Sequence, residues 1–431
     1  MKNKMLITIC ALLTMSASTV AQSILDAKQL AYAKAHLKDA AYSQAFRNLV
    51  SLADDDLLLK PPTVMTKEYI PASGSKHDYV SLARYAWPDE TQPNGLPYVM
   101  RDGVSNPELK KFDRNKLSAM ANAVYRLSLA YYFSGEEKYA QKATELIRVW
   151  FIDKKTKVNP NLRFAQHVPG KADGRCYGVI DAYSYVKMLD GVQLLEKSKS
   201  FTQKDSKLLK AWFSQLLKWL LTHPQAIEES YQKNNHATAY DVQVAAYALY
   251  TGNKKVFSDI VDNFPKRRIA TQIMPDGKQP YELRRTLAFG YSQFNLKHII
   301  DLMLMIKHQG VDFRQYCVSG EHSFFKAMDF LAPYMGKSVS DWPYQQISGW
   351  EDKQQEMAKD FYRTYLLDES RKDYLQIYRN VKMRDWRDLF VLTYEKPTKL
   401  DNAMAHADEQ LHYALKCTSE ARKTAKGNKV N

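Results

Sequence analysis

The hydrophobic positions of the chain recur mainly at three- and four-residue spacing, the mark of helices that bury one face. Leu117, Met120, Ala121, Val124, Leu127, Ser128 and Tyr131 trace one such face. Ser134-Gly135 marks a turn, and Tyr139, Ala143, Leu146 and Trp150 trace a second. The unit returns over 239–264: a helix ending at Ala248-Leu249-Tyr250, a turn at Thr251-Gly252-Asn253, then Val256, Ile260 and Val261. Glycine just past a helix end is a stop signal. Further helices are predicted at about 25–53, 179–197, 203–222, 286–308, 321–334, 355–367 and 370–380. Repeated helical hairpins of this size predict an all-α domain, either an α/α toroid or another helical array. No alternation of strands and helices points to a Rossmann-type core.

The N-terminus reads differently. Lys2 and Lys4 precede an apolar run from Met5 to Met15, and Thr19-Val20-Ala21 offers a cleavage site before Gln22. The run is too short for a permanent membrane span, so residues 1–21 are expected to be a signal peptide. That leaves 22–431 as a single domain, periplasmic or secreted, with no integral membrane segment. Beyond Cys10, in the apolar run, stand Cys176, Cys317 and Cys417, a number and spacing that make no disulfide framework. The lysine-rich tail after Cys417 is expected to be a frayed end.

Charge narrows the partners. The chain carries 62 Lys+Arg against 47 Asp+Glu, a net +15. A basic exported protein suits a polyanion: nucleic acid, an anionic membrane surface or an acidic polysaccharide. Three long segments break the helical pattern, 60–112, 153–178 and 268–285, and are rich in Pro, Gly, Tyr, His and Arg. Long loops on a rigid frame are where binding and catalytic side chains concentrate.

Three polar clusters stand out. Lys233-Asn234-Asn235-His236 precedes a helix, where the plain reading is an asparagine N-cap. Tyr281-Glu282-Leu283-Arg284-Arg285 is followed by Tyr291, Asn295 and His298, which also reads as a charged helix start with aromatics toward the core. Gln166-His167-Val168-Pro169-Gly170 leads to Gly174-Arg175. The histidines lack H-E-x-x-H spacing, and no Walker loop, G-x-G-x-x-G or G-x-S-x-G elbow is present, so no metal or cofactor is indicated.

Taken in order, these clusters and their loops resemble the alginate lyase-type polysaccharide lyases, with polysaccharide lyase family 38 as the implied subfamily, over about 60–350. The resemblance begins at Ser73-Gly74-Ser75-Lys76-His77-Asp78-Tyr79, and runs through Ser81-Leu82-Ala83-Arg84-Tyr85, Trp87-Pro88-Asp89, Pro97-Tyr98, Arg101-Asp102-Gly103 and Asn106-Pro107. It continues through Phe164-Ala165-Gln166-His167-Val168-Pro169-Gly170, Asn234-Asn235-His236, Glu282-Leu283-Arg284-Arg285 and Tyr291-Ser292. It implies an incomplete α/α barrel with long active-site loops, and an acidic polysaccharide partner, alginate or glucuronan, in place of nucleic acid. It also implies Tyr291, His236, Asn235 and Arg285 as catalytic residues. His167, Gln166, Arg175, Asn234, Arg284, Tyr79, Tyr85, Trp87 and Arg101 are implied as substrate-binding. Of the two arginines, Arg285 is preferred for the chemistry. His167 departs from a position that is often apolar in such enzymes.

The reaction explains why these residue types are needed. A lyase removes the weakly acidic C5 proton of a uronate and expels the C4 oxygen. Hydrogen-bond donors must neutralise the C6 carboxylate and hold the enolate-like charge that develops. Asn235 and His236 suit this, and Arg285 adds a fixed positive charge. Tyr291 would be the base. A free tyrosine titrates near ~10, and Arg285 in a positive cleft is expected to lower that value. In mannuronate and glucuronate the C5 proton and C4 oxygen share a ring face, so one tyrosine can take the proton and return it. Guluronate would need a second group, His236 or His167, on the opposite face.

Overall fold

The structure is a computed structural model that describes residues 23–380 and 385–412. The expected signal peptide, Cys10 and the tail with Cys417 lie outside them. The frame is helical: α1 (Ala27–Ala35), α2 (Ala40–Leu57), α3 (Arg114–Ser134), α4 (Glu137–Ile147), α5 (Ser184–Leu194), α6 (Gln203–Thr222), α7 (Pro224–Ser230) and α8 (Asn235–Thr251). There follow α9 (Lys254–Phe264), the short α10 (Ala270–Gln272) and α11 (Pro280–Leu283), α12 (Ala288–His308), α13 (Phe324–Leu331), α14 (Trp350–Leu367), α15 (Lys372–Asn380) and α16 (Leu389–Thr393). A further helix runs over 399–412.

Packing order makes this an α/α toroid. α2 packs on α3, α3 on α5, α5 on α8, α8 on α12 and α12 on α14, and α16 returns to α2. α4, α6, α9 and α15 form the outer members of the hairpins, against α3, α8, α8 and α14 respectively. One apolar core threads the ring, with Trp150, Tyr185, Phe213 and Tyr247 among its fully buried side chains. Gly191, in the middle of α5, explains the close approach of α3. A Cβ there would stand 3.1 Å from the Cα of Tyr125. The helix-propensity cost of a mid-helix glycine, roughly 1 kcal/mol, is offset by that contact.

Helix ends follow local chemistry. α6 begins at a complete capping box, Thr202 with Asp205, and α8 ends at Gly252 with φ 77°. The predicted helix at 25–53 is instead two, interrupted at 36–39, and α14 begins at Trp350, earlier than its apolar pattern signalled. α7 and α16 were not predicted at all.

The loops carry short strands: β1 (Val80–Leu82), β2 (Ala86–Trp87), β3 (Val99–Met100), β4 (Phe164–His167), β5 (Val318–Ser319) and β6 (His322–Ser323). β1 pairs in parallel with β4, drawing the first and second long loops together. β2 and β3 form an antiparallel ladder, as do β5 and β6. Cys176 and Cys317 are buried and unbridged. No described helix is long and apolar enough to cross a membrane.

Candidate active site

All three long loops meet the starts of α3, α8 and α12 around a cleft of about 500 Å³, a volume typical of small-molecule sites. Tyr291, His236, Asn235, Arg285, Asn234, Arg284, Gln166, Arg175 and Tyr85 all line it. Residues from opposite halves of the sequence are thus brought to one place by the toroid.

Asn234 caps α8, its side-chain oxygen accepting from the His236 N–H at 3.2 Å. The plain sequence reading of a cap is therefore correct for Asn234, and the cap aims the next two residues. Asn235 donates its backbone N–H and its Nδ2 to the two oxygens of buried Glu282, at 2.6 and 2.9 Å. The His236 ring meets Glu229, a fully buried carboxylate, through Nδ1 at 2.8 Å. Arg285 donates Nε and Nη2 to Asp102 at 3.1 and 2.5 Å. Each of the three is therefore gripped by an acid through one edge. Each keeps another edge free: the second Nδ2 hydrogen of Asn235 and Nη1 of Arg285 are donors, and Nε2 of His236 donates when both ring nitrogens carry protons.

Gly103 lets Asp102 reach its partners. With φ +80° and an added Cβ only 2.5 Å from the Thr286 Oγ1, that position admits no side chain without displacement. Asp102 also accepts from the Thr286 N–H and hydroxyl; burial pushes its carboxyl up, but the hydrogen bond and charge of Arg285, with the hydrogen bonds of Thr286, hold it below its ordinary value.

Tyr291 lies beneath Arg285, whose guanidinium is 3.9 Å from the ring centre. Its hydroxyl is 2.6 Å from that of Tyr85. Here the structure corrects an expectation. Burial pushes the Tyr291 phenol well above its ordinary value, and the neighbouring Tyr85 adds to this. Arg285 acts in the expected direction but is outweighed. Burial thus favours the neutral phenol of Tyr291.

Gln166 occupies a left-handed conformation, φ 53°, rare for a residue with a side chain. Its N–H donates to the Ser81 hydroxyl, its Nε2 to the Tyr177 carbonyl, and its Oε1 accepts from Arg175 at 2.7 Å. Backbone strain of this kind persists where surrounding contacts over-determine it, as they do here.

His167, Tyr79, Trp87 and Arg101 do not line the cleft. His167 follows the left-handed Gln166 in β4, and its ring packs on Tyr69 instead. It is buried, with Nε2 3.1 Å from the Tyr69 hydroxyl. Tyr79 is also buried and donates to Asp181, which itself lines the cleft. Trp87 and Arg101 stack on each other at 5.2 Å at the β2–β3 ladder, and Arg101 pairs with Glu90. These are support and surface positions.

The structure adds residues that the sequence did not single out. Arg114, the first residue of α3, lines the cleft 3.6 Å from Asp181. A cation at a helix N-terminus opposes the macrodipole, and that breach of a local rule was its one legible signal. Tyr177 also lines the cleft, its ring edge-on to His236 with centroids 5.0 Å apart. Glu229 left no signal, being one of two adjacent glutamates on an unpredicted helix. Among the described residues no cluster of His, Cys, Asp or Glu is arranged to hold a metal ion.

A toroid with aromatic, amide and guanidinium groups gathered at one mouth has the construction of the helical polysaccharide lyases. The alginate lyase family model matches residues 63–342. An alginate lyase crystal structure from Bacteroides ovatus is 45% identical, with a TM-score of 0.85, covering 87% of this chain and 99% of its own. Alginate lyase A1-III from Sphingomonas species A1 shares the fold at 13% identity and a TM-score of 0.53, covering 85% of this chain and 99% of its own. A variant of A1-III complexed with a tetrasaccharide superposes with a TM-score of 0.52, at 13% identity and the same coverage. No curated protein sequence matches the chain. The chain belongs to the alginate lyase family, and is a polysaccharide lyase.

Proposed function

We propose that the protein is a periplasmic or secreted enzyme that cleaves mannuronate-rich alginate by β-elimination, with Tyr291 as both base and acid. The observation that carries this reading is the convergence of the free donor edges of Asn235, His236 and Arg285 with the Tyr291 hydroxyl in one cleft. The substrate's C6 carboxylate would take the donors of Asn235 and His236, so that the charge spreading onto it as C5 loses its proton is held by groups already in place. Asp102 and Glu229 fix Arg285 and His236, which limits reorganisation during the reaction.

Tyr291 must be ionised to begin. Its phenolate would be held by Arg285 above the ring and by a hydrogen bond from the Tyr85 hydroxyl. It removes the C5 proton, and that C–H electron pair becomes the C4–C5 double bond. The C4–O bond breaks onto oxygen, which takes the proton back from Tyr291, and the phenolate is regenerated. A single residue serves both steps when the proton and the leaving oxygen lie on the same ring face, as in mannuronate.

The test is to mix the protein with polymannuronate, polyguluronate and glucuronan separately and follow absorbance of the new double bond. Absorbance should rise with polymannuronate, and Tyr291→Phe should lower kcat by about 10²–10⁴-fold, the range for a lost general acid–base group. Rapid cleavage of pure polyguluronate with Tyr291 as the sole essential proton carrier would sink the same-face mechanism. Preference for glucuronan would reassign the uronate. Saturable binding with no absorbance change would make this a glycan-binding protein.

A further inference from the structure

The interior of the toroid holds a second hollow of about 470 Å³, walled by residues 24–25, α5, α12, α14 and α16. Tyr183 and Phe294 line both this hollow and the cleft, so the two spaces adjoin across one pair of rings. Tyr291, Phe294 and Lys297 follow one another along α12. At 1.5 Å per residue, Lys297 stands roughly 9 Å beyond Tyr291 along the helix axis.

Most charges in the hollow are already matched. Asp301 is taken by Lys297 at 2.7 Å and by Arg363, and Asp360 by Arg363 and Gln293. Asp190 accepts the backbone N–H groups of Ser23, Ile24 and Leu25. Lys187 is different. Among the described residues no carboxylate or carbonyl accepts from its ammonium, which lies 4.2 Å from the ring centre of Tyr125. It is open to solvent within the hollow, yet protein surrounds it. Those surroundings, desolvation first and then Lys297, bring its ammonium down to about 8. A cation open to the hollow and without a carboxylate partner is free to take an anionic one.

We propose that the hollow is a further subsite for the acidic chain, in which Lys187 pairs with the carboxylate of a uronate residue beyond those held in the cleft. This rests on the lyase reading. Tyr183 and Phe294 provide the continuity, as an apolar step over which a sugar ring passes from one space to the other. Lys297 also lies 4.8 Å from the Tyr183 ring centre, so positive charge continues from that step into the hollow.

The experiment compares wild type with Lys187→Met on oligouronates of increasing length. A lost charge-assisted hydrogen bond predicts a roughly tenfold rise in KM for long chains, with kcat unchanged and the shortest cleavable oligomer unaffected. A KM unchanged for long chains, or raised equally at every length, overturns the subsite. A second measurement uses wild type alone: an amine-reactive label applied near neutral pH, with modification of Lys187 read by mass spectrometry. Long oligouronates should protect Lys187 and short ones should not. Equal protection by inorganic phosphate, or no protection by long chains, also overturns the subsite. Because the label needs no turnover, it separates failure of this inference from failure of the lyase reading, which a wild type inert on every uronate would expose.

Discussion

Arg285 and Asp102, just before α12, pair with 23% and 37% of their side chains exposed. Farther along α12, Asp301 pairs with Arg363 at 3% and 6%. The two ion pairs use the same chemistry but are built for different purposes. Arg285 spends two donors on Asp102 and turns the rest of its guanidinium toward Tyr291 and the cleft. Arg363 is enclosed, engaging Asp301 and Asp360, while Lys297 and Tyr183 complete the coordination of Asp301. A pair with an open edge can accept a substrate anion without reorganising. A closed network fixes the positions of the helices around it, and leaves Lys187 beside it to meet an anion.

Breaking the closed network should have the largest effect on stability. Arg363→Met leaves Asp301 and Asp360 buried with one cation fewer, which predicts a loss of about 3–5 kcal/mol in chemical denaturation. Turnover of the shortest cleavable oligouronate per folded molecule should be retained, since the network does not touch the cleft's donors. A stable variant with lost turnover would reverse the roles assigned to the two regions.

The next effect is at the open end. Glu229→Gln removes the charge that holds the His236 Nδ1 proton, while the amide still fits the site. The change of a charged hydrogen bond, about 1.5–3 kcal/mol, predicts a ten- to hundredfold fall in kcat with little change in KM. The Nδ1–H resonance of His236, read by NMR, should move as its charged acceptor is lost. An unmoved resonance together with an unmoved rate would show that Glu229 is only a buried acid.

The difference between the regions also explains what was legible in the sequence. α6 was predicted to its last residue because Thr202, Asp205 and the apolar stripe agree. The break between α1 and α2 was missed because 36–39 contains neither Gly nor Pro, and Asp39 alone marks the second start. In the site, Asn235, His236, Arg285 and Tyr291 were legible because they sit in short dense clusters. Their holders were not: Glu229 and Glu282 act through contacts across 7 and 47 residues, and Asp102 across 183. His167 was assigned to the substrate because it lies in the Phe164–Gly170 stretch that carries the resemblance, yet its ring packs on Tyr69 outside the cleft. The depth of Tyr291 was equally invisible, since charge can be counted along a chain but desolvation cannot.

That last point sharpens into a pH experiment. Arg285 is the cation that opposes the burial of Tyr291, and Asp102 pushes the phenol in the same direction as burial. Arg285→Gln removes the first and leaves the second unpaired, so the folded-state value of Tyr291 rises further. If the phenolate is the active form, kcat should climb with pH in the wild type, and the climb should move to higher pH in the variant. Arg285→Lys, which restores charge without the two-pronged grip, should fall between. A profile that does not move would mean that the ionisation limiting kcat belongs to another group.

The smallest effect is expected at Arg101, where the ion pair is of a third kind, with side chains 40% and 80% exposed. Water screens such a pair, and double-mutant measurements place exposed pairs near 0.2–1 kcal/mol. Its contact with Trp87 is also at the surface and adds about 0.5–1 kcal/mol. Arg101→Ala should therefore change stability by about 2 kcal/mol at most, and kcat/KM on polymannuronate by no more than about twofold. The sequence resemblance assigned Arg101 to the substrate, and the structure sets it beside the cleft wall, with Met100 lining the cleft in its place. A tenfold rise in KM for Arg101→Ala would mean that the β2–β3 ladder folds over the bound chain, and that the open edge of the site extends past the cleft wall to Arg101.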